Sequence, residues 1–206
     1  LDNLIATILN QFEQQLKSAF PFVSAEAIEV LLSISTLVQL KENEIWVSAG
    51  SRTTKAALIV DGLMRNFIVN PNGEETTVVF AASMQVIAPH ACLFLNKPAT
   101  ETTQAVQPSL LLVADYFEIK KRAIQHQSLS EFYFHLMEKI LLAAIERIED
   151  FTHRSPQERY RHLVATHGFL IEQAPLKYVA SYLGITPVSL SRIRKRVHTA
   201  SKEFKN

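Results

Sequence analysis

Residues 176–195 read LKYVASYLGITPVSLSRIRK. Val179 and Leu183 stand four apart on one face of a first helix, and the small Ala180 beside them lets a second helix approach closely. Gly184 supplies the left-handed residue that ends the first helix. Thr186 is placed to cap the next helix through its hydroxyl, and Pro187 fits the first helical position, where no N–H is needed. Leu190 and Ile193 turn back toward Val179, Leu183 and Ile185, which leaves Ser189, Arg192, Lys195 and Arg196 on a polar, basic outer face. This spacing predicts a helix-turn-helix whose second helix enters a DNA major groove. A plain helical hairpin with a solvated basic face would not call for the crossing alanine, the turn glycine and the cap together.

Charge is segregated around this motif. Residues 1–153 hold 11 Lys/Arg against 17 Asp/Glu, a balance of −6, while residues 154–206 hold 10 against 3, a balance of +7. The overall +1 therefore conceals a C-terminal quarter that attracts phosphate and a remainder that repels it. The chain of 206 residues is nearly half apolar, enough for a sizeable core without disulfides. Cys92 is the only cysteine, which excludes an internal disulfide and a four-cysteine iron–sulfur cluster within one chain. No signal peptide is expected, and no apolar run in the sequence approaches the roughly 18 residues of a membrane span. A reduced, cytoplasmic location is expected.

Working back from the motif, Ser155-Pro156-Gln157-Glu158 is a capping box that starts a helix through Tyr160, Leu163 and Val164, ending near Gly168. Before it, Ser128–Phe151 lacks Gly and Pro and predicts one long helix. Phe134, Met137, Leu141, Ala144, Ile148 and Phe151 follow the alternating three–four spacing of a coiled-coil seam, expected to meet a second copy of the chain. A second stripe, Leu129, Phe132, Leu136 and Ile140, is expected to pack on the chain's own N-terminal domain; a single broad core face inside a monomer is the other reading. From about Thr36 to Ala114 the sequence reads as short strands: 37–40, 45–47, 56–60, 64–69, 75–80, 102–106 and 110–113. Turn signals separate several of them, among them Asp61-Gly62 and the hairpin sequence Pro71-Asn72-Gly73. An N-terminal helix carrying Leu4, Ile5, Ile8, Leu9, Phe12 and Leu16 stops at Pro21, and a second runs from a Ser24 cap through Ala27, Ile28, Leu31 and Leu32. The fold class expected is α+β. An antiparallel β-roll (double-stranded β-helix or jelly roll) with flanking helices spans 1–127, a long dimerisation helix 128–153, and an all-α helix-turn-helix domain 154–206.

This order of elements resembles the Crp/Fnr superfamily of bacterial transcription regulators, and the resemblance covers nearly the whole chain. Its carriers are Pro175–Thr186 and Ser189–Lys195, similar to the compact branch frequent in Bacteroidetes, together with Ile59–Arg65 and Asn72–Glu75 in the roll. The resemblance implies a homodimer on a palindromic double-stranded operator, with half-sites about one helical turn apart. It also implies RNA polymerase as a partner, and no membrane. At the position where better-known members often carry Glu, this chain has Val188, which can touch a thymine methyl but cannot accept from cytosine. Val188, Ser189, Ser191 and Arg192 are the candidate base readers, with Arg192 expected to reach a guanine edge or a nearby phosphate. Lys177, Thr186, Arg194, Lys195 and Arg196 are the candidate phosphate contacts. A β-wing after the second helix is expected to be absent or minimal.

Cyclic-nucleotide-binding relatives hold the phosphate with Gly-Glu and, about ten residues on, Arg-Ser/Thr-Ala. Here Ala88-Pro89 and Ala99-Thr100-Glu101 occupy those places, with His90 following the first pair. Proline removes an N–H donor, alanine replaces the cation, and Glu101 adds an anion where a phosphate would sit. Each loss amounts to about 1–3 kcal/mol for a charge-assisted hydrogen bond. Cyclic AMP bound in the usual way is not expected, no cofactor is expected, and any other effector is left open. No metal is expected, because the histidines lack HxH or HExxH spacing, and no nucleophile or paired-carboxylate constellation suggests an enzyme. The alternative is a cupin-like metal-binding or enzymatic roll with a helical interaction tail, which would need metal ligands gathered inside the barrel.

Overall fold

The computed structural model describes residues 2–203, with side chains described at position 7 and from 10 to 197. Leu4, Ile5, Ile8 and Leu9 of the first helix, and His198, lie outside the described side chains. The elements are α1 (Asp2–Ala19), α2 (Ala25–Ser33), β1 (Ser35–Leu40), β2 (Ile45–Val47), β3 (Lys55–Asp61), β4 (Leu63–Val69), β5 (Glu75–Ala82) and β6 (Val86–Ile87). There follow α3 (His90–Leu95), β7 (Thr102–Ala105), β8 (Ser109–Asp115), α4 (Tyr116–Gln125) and α5 (Gln127–His153). The chain closes on α6 (Pro156–His167), α7 (Phe169–Gln173), α8 (Leu176–Tyr182) and α9 (Pro187–Glu203). Each expected strand is present within two residues at either end. The short β6, α3 and α7 were not anticipated, because segments of two to six residues carry no measurable periodicity.

Residues 1–65 and 80–141 form one compact unit, and residues 66–79 with 142–206 form another. Residues 66–79, the tip of the β4–β5 hairpin, count with the second, and the first holds the rest of the roll. Its strands form two four-stranded sheets, ordered β1-β8-β3-β6 and β2-β7-β4-β5. The sheets enclose a core of Leu40, Ile59, Met64, Ala105, Leu111 and Val113. The outer face of the first sheet is covered as well: Leu58, Val60 and Leu112 pack with Phe12, Leu16 and Phe20 of the N-terminal segment, Ile28 of α2 and Phe132 of α5. Burial on both faces explains why β3 and β8 read as continuous apolar runs, Ala56–Val60 and Leu110–Ala114, rather than alternating ones. Leu129 and Phe132 are 1% and 3% exposed, so the second stripe of α5 does pack on the chain's own sheet.

Local chemistry fixes the ends of these elements. Ser24 caps α2, its Oγ accepting from the Ala27 N–H at 3.1 Å and lying 2.8 Å from Ser128 Oγ near the start of α5. Asp115 ends β8 and caps α4, accepting from the N–H groups of Phe117 and Glu118 at 3.0 and 3.2 Å. The Thr54 hydroxyl, which donates to the other oxygen, holds the Asp115 carboxyl below its usual value. Among the described residues no helix is long and apolar enough to cross a membrane.

The turn between β3 and β4 tolerates only glycine. Gly62 has φ +107°, and a methyl there would lie 2.3 Å from Ser109 Oγ and 2.7 Å from its Cα. Gly62→Ala should therefore destabilise the roll by about 2–4 kcal/mol, combining left-handed strain with overpacking against backbone. A fall of the urea midpoint at unchanged slope would register it.

Candidate nucleic-acid interface

The second unit builds the helix-turn-helix from the inside out. Val179, Ala180, Leu183 and Leu190 are each at most 1% exposed, and Ile193 is buried beside them. Ala180 lies where α8 and α9 cross, as its size requires. The turn is left-handed at Gly184, φ +66°, and the N–H of Ile185 donates to the Ala180 carbonyl at 3.0 Å. Thr186 caps α9: its Oγ1 accepts from the Ser189 N–H at 3.2 Å and lies 3.0 Å from Ser189 Oγ. The capping box at Ser155 is complete, with the Ser155 N–H donating to Glu158 at 2.8 Å.

With that inner face buried, the outer face of α9 is fixed by the helix period. Val188 is 60% exposed, and Ser191, Arg192, Lys195 and Arg196 are exposed along the same side, while Ser189 and Arg194 are half-buried. Lys177 is exposed at the start of α8, its Nζ 4.8 Å from the centre of the Tyr178 ring. The Ser191 hydroxyl donates to the Pro187 carbonyl at 3.0 Å, so it faces a groove chiefly as an acceptor. Thr186, expected to touch phosphate, is engaged as the cap. Among the described residues no strand follows α9.

Not all of the basic excess is on this face. Arg159 is 8% exposed; its Nε donates to the Leu183 carbonyl at 3.0 Å and its Nη1 to the Arg154 carbonyl at 2.8 Å. Its guanidinium lies 4.6 Å from the centre of the Phe151 ring, with that of Arg147 4.4 Å from the same ring and 3.9 Å from Tyr182. Burial lowers the Arg147 pKa and raises that of Tyr182. These cations brace the turn rather than face solvent. Sequence reading missed them, although Arg159 stands in helical step with the apolar Leu163, a position that a solvated arginine avoids. It also missed the tie between β5 and α8, where Ser181 Oγ accepts from the Thr77 N–H at 3.0 Å and lies 2.9 Å from Thr77 Oγ1.

Along α5, Phe134, Leu141 and Ile148 are 60–63% exposed and Ala144 is exposed. Leu142 and Ile145, absent from the expected seam, are exposed with them. Met137 is half-buried against a cavity of the first unit, and Phe151 is half-exposed, its ring shared with Arg147 and Arg159. At the phosphate-cassette positions Ala88, Pro89 and Ala99 are buried, and the Pro89 carbonyl accepts from the Cys92 N–H at 2.9 Å. Thr100 is exposed, and the fold brings His90 Nδ1 to 3.6 Å from Glu101 Oε1. Among the described residues no three His, Cys, Asp or Glu side chains gather as metal ligands.

Gly184 carries the local strain of the motif, since a methyl there would lie 2.8 Å from the Phe151 ring. Gly184→Ala should destabilise the second unit by about 1–3 kcal/mol. Thr186→Ala should cost about 1 kcal/mol, with Thr186→Ser restoring most of it; urea unfolding of the three variants checks both values.

No protein-family model and no curated protein matches this sequence. Solved structures do match its fold. FixK2 from Bradyrhizobium japonicum aligns at TM-score 0.67 and 16% identity over 82% of this chain and 86% of that one. CLP from Xanthomonas campestris, described as a c-di-GMP responsive global regulator, aligns at TM-score 0.67 and 11% identity over 86% and 93%. A CooA mutant from Carboxydothermus hydrogenoformans aligns at TM-score 0.66 and 12% identity over 82% and 79%. At these identities the likeness is one of fold: the chain shares the fold of these structures, a Crp/Fnr-like fold.

Proposed function

We propose that this protein is a homodimeric, sequence-specific transcription regulator that reads a palindromic operator in double-stranded DNA and works with RNA polymerase. The observation that carries this reading is the outer face of α9, where Val188, Ser191, Arg192, Lys195 and Arg196 lie exposed on a helix whose other face is locked into α8. Such a helix offers short polar and apolar groups to base edges and cations to phosphates. Arg192 is the main base reader, with Val188, Ser189 and Ser191 beside it; Lys177, Arg194, Lys195 and Arg196 hold the backbone, and Thr186 positions the helix as its cap.

Dimerisation uses the exposed apolar face of α5. Phe134, Leu141, Ala144 and Ile148 supply the seam, with Leu142 and Ile145 widening it. A signal at the roll shifts the packing of α5, and the change reaches the paired recognition helices through the junction at His153–Pro156. That junction is well tied, because Arg154 pairs with Asp150 at 2.5 Å and its carbonyl accepts from Arg159. A rigid coupling transmits a shift better than a loose one. The effector is not cyclic AMP held in the usual way: the cassette positions supply a buried alanine, a proline and Glu101 paired with His90 instead of a phosphate cradle.

Selection of bound fragments from random duplex DNA tests the reading, which requires a two-fold-symmetric consensus bound far more tightly than random sequence at equal salt. Arg192→Ala should cost about 1–3 kcal/mol and relax one position of each half-site. Lys195→Ala should weaken all sequences alike and flatten the salt dependence. Ile148→Glu should give monomers by light scattering; a dimeric Ile148→Glu protein would place the seam elsewhere.

A further inference from the structure

A cavity of about 70 Å³ lies inside the first unit, between the β1-β8-β3-β6 sheet and α5. Its origin is legible in the strand register. Leu58 stands opposite Leu112, and the next pair on the same face toward α4 is Ala56 opposite Ala114. The alanines are shorter than the leucines, and the void beside them is bounded by Phe132, Leu136 and Ile140 of α5. Among the described residues no Asp, Glu, Lys or Arg lines it, and a phosphate would be desolvated there without a cationic partner.

Among the aliphatic side chains of the wall stand the rings of His90, Phe94, Tyr116, Phe132 and Tyr133. Phe94 and Tyr116 meet edge to face at 5.6 Å, and Phe94 is 49% exposed, which makes it the door. The hydroxyl oxygens of Tyr116 and Tyr133 lie 3.0 Å apart. One of them donates to the other, and the accepting tyrosine keeps its own proton to offer to a ligand oxygen. Burial pushes the Tyr116 hydroxyl up to about 12, so it stays protonated at neutral pH.

We propose that this cavity, walled in part by the cassette residues Ala88 and His90, is the effector site, and that it takes a single-ring aromatic molecule bearing one hydroxyl, phenol being the simplest. The rings favour an aromatic guest by edge-to-face contact, and the tyrosine pair selects its hydroxyl. The resting volume is about half of the roughly 150 Å³ known to admit benzene in an engineered cavity. The guest therefore enters only as α5 moves away from the sheet, and it binds the displaced arrangement better than the resting one. The consequence for DNA binding rests on the regulator reading above; the binding itself does not.

The test uses the full chain without DNA, titrated with phenol, benzene and cyclohexanol while heat of binding and unfolding temperature are followed. Phenol should bind saturably and most tightly, and raise the unfolding temperature. Tyr133→Phe should weaken phenol about 5–10-fold and leave benzene within about twofold. Ala114→Leu and, separately, Ala56→Val fill the void, so each should abolish the phenol response while the protein still unfolds cooperatively; should either variant fail to fold, the other and Tyr133→Phe decide. Absence of saturable phenol binding, cyclohexanol binding as tight as phenol, or an undiminished response in a folded filled variant overturns the proposal. Because no DNA is present, none of these outcomes depends on whether an operator is recognised.

Discussion

The antiparallel pairing of β3 with β8 is the constraint from which most of the sensor unit follows. Both strands are central in their sheet and covered on both faces, so every side chain from Ala56 to Val60 is committed to one core or the other. Ala57, Ile59, Leu111 and Val113 fill the interior of the roll; Leu58, Val60 and Leu112 form the bed on which α1, α2 and the first turns of α5 lie. A slip of one residue would exchange the two sets and leave both cores with the wrong shapes. The same register sets Ala56 against Ala114 and leaves the void beneath α5.

α5 inherits its position from that bed, and its composition then poses a problem that one chain does not solve. Leu129 and Phe132 are absorbed by the sheet, but Phe134, Leu141, Leu142, Ile145 and Ile148 are left at 43–63% exposure on a helix of 27 residues. Exposed apolar side chains recurring along one helix are the kind of feature that a partner surface covers. The proposed dimer covers it with the same face of a second copy, the self-complementary arrangement that two-fold symmetry produces.

Charge counting marks residues 154–206 as the part of the chain that attracts phosphate, but it overstates the number of cations that face outward. Of the cations beyond residue 153, Arg159 is buried against carbonyls and the Phe151 ring, and Arg154 is paired with Asp150. Among the described residues, the exposed cations of this segment are Arg161 of α6 with Lys177, Arg192, Lys195 and Arg196 of α8 and α9. Arginine suits both tasks: its planar guanidinium stacks on rings and spans two carbonyls when buried, and carries full charge when exposed.

What the sequence determined by itself was local. The helix-turn-helix, the capping box at Ser155, the hairpin at Pro71-Asn72-Gly73 and nearly every strand of the roll were readable, because capping, left-handed glycine and hydrophobic period act over fewer than ten residues. Tertiary structure alone decided which stripe of α5 is covered, that Met137 turns toward a cavity, that Phe151 belongs to a cluster of two arginines and Tyr182, and that Thr77 of a hairpin is tied to Ser181 of a helix 104 residues later. Those contacts depend on strand register and on which faces meet, and a one-dimensional pattern encodes how often apolar residues recur, not what stands opposite them.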